Sequence, residues 1–172
     1  ASAARFIQQD GSPPPPTPPD VIIESRTSGK NYGLYEDNGM ADLTDKSTAP
    51  GTTSGIGSRY ASSSYWGKRA IYSASISQSG LYKIYATWSE DSRINCTDYR
   101  FFVDYDGITL VTDIDQVGST NGNTWVLISG ARPFLANKST QGVISDNTDN
   151  TICPDSVIDR SQCPTNHFCV AD

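Results

Sequence analysis

The nine residues Gly80-Leu81-Tyr82-Lys83-Ile84-Tyr85-Ala86-Thr87-Trp88 decide the fold. Leu81, Lys83, Tyr85 and Thr87 fall on one side of an extended chain, and Tyr82, Ile84, Ala86 and Trp88 fall on the other. Aromatic and β-branched residues at a period of two mark a half-buried strand with one apolar face. Outward from it the same signal recurs at Asp20–Glu24, Arg59–Ala61, Arg69–Ile76, Tyr99–Tyr105, Gly107–Ile114, Thr124–Ile128 and Gly142–Ser145. Asp106-Gly107, lying between two such runs, is a strong hairpin signal because both residues tolerate a positive φ. Many short strands separated by turn residues predict an all-β, antiparallel β-sandwich of jelly-roll-like form. The Gly- and Asp-rich stretch from Thr27 to Gly57 has no clear period and reads as a surface loop. Trp88 and Trp125, inside apolar runs, read as core.

With 172 residues, one core suffices. Charged residues make up 19% of the chain, the net charge is −6, and the basic residues are scattered, which argues against a nucleic-acid partner. No run of 18 apolar residues is present to span a membrane as a helix. The four cysteines, Cys96, Cys153, Cys163 and Cys169, lack the CxxC spacing of a zinc site. Asn95-Cys96-Thr97 and Asn137-Lys138-Ser139 are N-glycosylation acceptors. An even cysteine count beside two such acceptors predicts an oxidising, extracellular or cell-surface setting with disulfides. Four cysteines allow three pairings; Cys153 with Cys163, across a short loop, and Cys96 with Cys169 is the preferred set.

Residues 13 to 19 hold six prolines and Thr17, which excludes helix and sheet and leaves polyproline II. At about 3.1 Å per residue these seven residues span roughly 22 Å. In a plant-like or algal cell such prolines become hydroxylated and carry sugars. Pro13, Pro14, Pro15, Pro16, Thr17, Pro18 and Pro19 therefore join Asn95 and Asn137 as expected glycosylation positions.

Written tail to head, Phe168-Cys169-Val170-Ala171-Asp172 followed by Ala1-Ser2-Ala3-Ala4-Arg5-Phe6-Ile7 reads as one apolar strand running into the proline spacer. The chain is thus expected to be one period of a polymer. Residues 1–11 would complete a neighbouring unit's domain, 12–19 would be the linker, and 20–172 the β-sandwich. Ala4, Phe6, Ile7, Cys169, Val170 and Asp172 carry that assembly strand.

Catalytic groupings are sparse. His167 is the single imidazole, so a Ser-His-Asp site has one candidate base, placed beside an expected disulfide. Asp104 with Asp106, and Asp113 with Asp115, are spaced to share a strand face, but acidic residues at strand ends are most often simply solvated. The run Asp146-Asn147-Thr148-Asp149-Asn150 lacks the spacing of a calcium loop, so no metal or cofactor is expected. Tyr65 and Trp66, in a Ser- and Gly-rich stretch, are a possible platform for a sugar ring or a proline ring. They define the alternative reading, a carbohydrate-binding module of a secreted enzyme or adhesin.

The chain resembles the golvesin-type domain, also described as the carbohydrate-binding-like domain of xanthan lyase. The likeness is carried by Gly57-Ser-Arg-Tyr60, Ala70, Tyr72, Ser79-Gly80-Leu-Tyr-Lys-Ile-Tyr85 with Trp88, Tyr99–Val103, Asp115-Gln116, Trp125-Val-Leu127 and Val170-Ala171-Asp172. It covers residues 20–172 together with 1–8. The long Thr27–Gly57 stretch and the cysteine-bearing Thr151–Cys169 segment depart from the family pattern. The resemblance implies a β-sandwich at an extracellular address, without catalysis.

Overall fold

A computed structural model describes residues 3–9, 20–55, 57–62, 68–90, 99–116, 121–146 and 168–171. Twelve strands form three antiparallel sheets. The first sheet has the order β10 (Val126–Phe134), β7 (Gly80–Thr87), β1 (Ala3–Gln9), β2 (Val21–Glu24). The second runs β3 (Tyr35–Asp37), β6 (Arg69–Ser73), β11 (Gly142–Asp146), β8 (Tyr99–Tyr105), β9 (Ile108–Ile114). A smaller sheet pairs β12 (Phe168–Ala171), β5 (Ser58–Ser62) and β4 (Ala41–Leu43).

Alternation builds the core. β7 turns Tyr82, Ile84 and Ala86 inward, β8 turns Tyr99, Phe101 and Val103 inward, and β1 adds Ala4 and Phe6, all of them buried. Tyr99 and Phe101 pack edge-to-face at 5.2 Å, and the Tyr99 hydroxyl donates to Ser145 Oγ at 3.1 Å, so its polar end is satisfied inside. The hairpin expected at Asp106-Gly107 is present: φ is 44° and 78°, positive at both positions as a type I′ turn requires.

One expectation changes. The Thr27–Gly57 stretch holds a 3-10 turn at Tyr32–Leu34 and the strands β3 and β4, which pair with β6 and β5. These strands are three residues each, too short to show a period in the sequence. Within the chain, residues 168–171 form β12 and residues 3–9 form β1, in different sheets.

Candidate assembly site

Strand β1 fills a slot. It pairs with β7 at seven positions, from Ala3↔Thr87 to Gln9↔Leu81, and with β2 at four, from Ala3↔Glu24 to Phe6↔Val21. Without it, β7 and β2 would face each other across two strand spacings, about 9.6 Å, with their ladder groups unpaired. Ala3, Ala4 and Phe6 are at most 1% exposed, and Phe6 reaches Phe134 of β10. Full burial of a phenyl ring of this kind contributes about 2–3 kcal/mol.

The outer side of the slot is polar and aromatic. The Arg5 guanidinium donates through Nε to Asp20 Oδ2 at 2.9 Å and lies over the Trp125 ring, 5.7 Å from its centroid. Trp125 Nε1 in turn donates to the Pro50 carbonyl at 2.9 Å. Three residues on from Pro50, Thr53 is held by Glu24, a buried carboxylate on β2 that accepts from the Lys30 N–H, the Thr53 N–H at 2.7 Å and the Thr53 hydroxyl at 2.6 Å. Trp125 is therefore a half-buried bracket against β1, in place of the core residue its apolar neighbours suggest.

The Ala3 end of the slot is linked to the end of β12 through β5 and the Asp45–Ser47 stretch. Ala171 pairs with Arg59, whose neighbour Ser58 donates to the Asp45 carbonyl at 2.6 Å. Ser47, two residues on, shares a 2.5 Å hydrogen bond with Thr87, the partner of Ala3. β5 and the stretch from Asp45 to Ser47 thus lie between where β12 ends and where β1 begins. Ser25 Oγ and Trp88 Nε1, buried without a hydrogen-bond partner, follow directly on the two residues that flank Ala3.

The expected site residues distribute as follows. Ala4 and Phe6 are buried in β1, and Ile7 is half-buried on its outer face. Cys169 and Val170 lie in β12, opposite Ala61 and Tyr60. Asn137 is exposed in the turn after β10, with φ 57° and its N–H donating to the Ile76 carbonyl at 3.1 Å. Asn95, Cys96, Cys153, Cys163, Asp172, Pro13–Pro19, Tyr65 and Trp66 lie outside the described residues. Of the acidic pairs, Asp113 is ion-paired with Arg100 at 2.7 Å, Asp104 accepts from Thr109 at 2.5 Å, and Asp106 forms the hairpin turn. Among the described residues no group of three or more His, Cys, Asp or Glu side chains is placed to hold a metal ion. Nor is any helix long and apolar enough to cross a membrane.

Sequence reasoning missed Arg5, Asp20, Glu24 and Trp125 as parts of the slot. The Trp125–Pro50 contact joins residues 75 apart, and nothing local in either stretch announces it.

The family described as Golvesin C-terminal domain matches residues 38–158. No curated protein matches the chain. Among solved structures, that of Paenibacillus xanthan lyase superposes with a TM-score of 0.57 at 17% identity, over 99% of this chain. The match spans 12% of the lyase chain. β1 and β2 lie before the family match, while the structural likeness takes in nearly the whole chain.

Proposed function

The chain belongs to the Golvesin C-terminal domain family, and from that premise we propose that it is a structural, non-enzymatic repeat unit of an extracellular, glycosylated filament. Units join head to tail when β1 of one copy fills the slot between β7 and β2 of the next.

One observation carries this reading: an interior strand of a sheet is tied to the rest of its domain by a segment chemically unsuited to a hairpin loop. β1 and β2 are adjacent and antiparallel with Phe6 opposite Val21, so Gln9 at the end of β1 lies three residues past the start of β2 and the two ends stand roughly 11 Å apart. The seven residues 13–19 prefer a rod of roughly 22 Å. Folding that rod into a loop works against its stiffness, whereas spanning to a neighbour relaxes it. An incoming strand restores the ladder on both sides, and because donor and slot are different surfaces the contact propagates without closing. The exposed Asn137 acceptor and the proline acceptors would keep such a fibre coated and soluble.

The test replaces residues 13–19 by an equal length of Gly and Ser. A flexible loop lets β1 close on its own slot, so this variant should form no open-ended series, while the native linker yields a concentration-dependent series of oligomers or fibres in electron micrographs and light scattering. A monomeric native chain, or fibres that persist after deletion of residues 3–9, would overturn the reading.

A further inference from the structure

We propose that strand β9 is a second, self-complementary interface, through which two copies pair edge to edge about a two-fold axis at Val111. An unpaired strand edge invites addition of another strand, so proteins ordinarily blunt their edges. The other edges here are blunted. β10 carries register shifts on both sides of Ser129 and a proline at 133, β3 and β4 have three residues each, and β2 and β12 have four. β9 has seven residues in unbroken register with β8, from Ile108 to Ile114, and contains no Pro, Gly or Lys. Its Ile108 is 54% exposed and its Val111 49%.

The second observation is what lies beside that edge. The registers place Ile71, Ile144, Phe102 and Val111 side by side on four successive strands. None of the four is buried, so they form an apolar stripe one residue wide, across the outer face, ending at β9, which pairs with no strand beyond β8 among the described residues. A stripe one residue wide is too narrow for the core of a face-on interface, which needs about 800 Å² per partner. Continued edge-on it finds its match in itself. With Val111 opposite the partner's Val111, the stripe doubles in length across one continuous sheet.

The remaining pairs of that register are compatible. Ile108 falls opposite the partner's Ile114, covering the exposed isoleucine, and Leu110 falls opposite the partner's Thr112. Thr109 falls opposite the partner's Asp113, whose charge is already held by Arg100 through two hydrogen bonds of 2.7 and 3.2 Å. No two carboxylates are set against each other. Such pairing is isologous and closes, whereas β1 exchange is open, so the two together would join filaments laterally in pairs.

Sedimentation equilibrium on the chain with the Gly/Ser linker isolates this contact from β1 exchange. The expected result is a reversible dimer at twice 18.6 kDa, plus any sugars. Alternate β9 amides should gain hydrogen-exchange protection at high concentration. Val111→Lys, at an exposed position with the fold checked by circular dichroism, should weaken the dimer at least about tenfold by setting like charges opposite one another, and Val111→Thr should preserve it. A single-chain mass at every concentration, or a dimer indifferent to Val111→Lys, overturns the proposal. Because the strand-exchange reading, on which this test rests, leaves the linker variant without open-ended assembly, failure there appears as mass beyond a dimer, distinct from failure here.

Discussion

Phe6 meets Phe134 edge to face, with ring centroids 5.4 Å apart and planes at 75°, and this contact fastens β1 to the far end of β10 beyond its register shifts. Tyr82 and Tyr105 close on the same Phe134 ring, at 6.0 and 6.3 Å, so Phe6 is one wall of an aromatic cluster that links the two main sheets. Phe6→Ala should cost about 3–5 kcal/mol, the usual loss for removing a buried ring whose site cannot collapse. For a chain of this size that corresponds to a melting point lower by roughly 10 °C. Oligomers should be lost together with stability, since the same side chain seats the strand whichever copy supplies it. Thermal melts paired with light scattering read both effects.

Asp37, at the end of β3, governs acid stability. Burial by itself raises a carboxyl, but here Arg59 Nε donates to Oδ2 at 2.8 Å, the Gly39 and Met40 N–H groups donate to Oδ1 at 2.8 and 2.9 Å, and the Tyr35 hydroxyl donates to Oδ2 at 3.0 Å. The donors win and hold Asp37 below its ordinary value. Burial, followed by the Asp37 charge, pushes the Tyr35 hydroxyl far upward, so it stays a donor across the accessible range. A depressed native pKa contributes stability that is fully present above the unfolded value near 4 and lost as pH falls through the native one. Denaturation midpoints should therefore be level from pH 7 to about 5 and drop below about 4. Asp37→Asn should lower the neutral-pH stability by about 2 kcal/mol and flatten that drop. An unchanged acid limb in the variant would assign the effect to other carboxylates.

How much of this was readable in advance depends on the range of the interaction. β8 and the Asp106-Gly107 turn are dictated by period and by φ, both local, and they appear where the sequence places them. β3 and β4 are strands only because β6 and β5 present ladders to them, which three residues cannot announce. Within the site, Phe6 was legible as an apolar residue in an apolar strand. The outward role of Trp125 was not, since its indole is claimed by Pro50 and Arg5 from two remote stretches. Which strands flank β1 was equally hidden, because strand order is set by the whole core.

Two glycines in different sheets should respond in opposite ways to the same substitution. A Cβ on Gly142 would stand 2.2 Å from the Tyr72 carbonyl oxygen, a backbone atom held in the β6–β11 ladder. At Gly130, in β10, a Cβ would meet no atom within 4 Å. Gly142→Ala should cost about 2–3 kcal/mol by forcing strands apart. Gly130→Ala should be neutral or stabilising by up to about 1 kcal/mol, because the unfolded chain loses freedom. Urea titrations of the two variants test the close approach of β6 and β11 directly.

Asn137 stands where a sugar can be attached and where its own backbone is demanding. It is exposed, and its φ of 57° is one that Asn accepts and Gln resists, so Asn137→Gln would mix loss of an acceptor with strain in the turn. Ser139→Ala removes the acceptor motif and leaves that turn intact. Intact-mass measurement on material from a secreting eukaryotic host should show Ser139→Ala lighter than the parent by one N-linked glycan, at an unchanged melting point within about 0.5 kcal/mol. An equal mass would mean that this turn carries no sugar. The coat of the proposed filament would then have to come from Asn95 or the proline spacer.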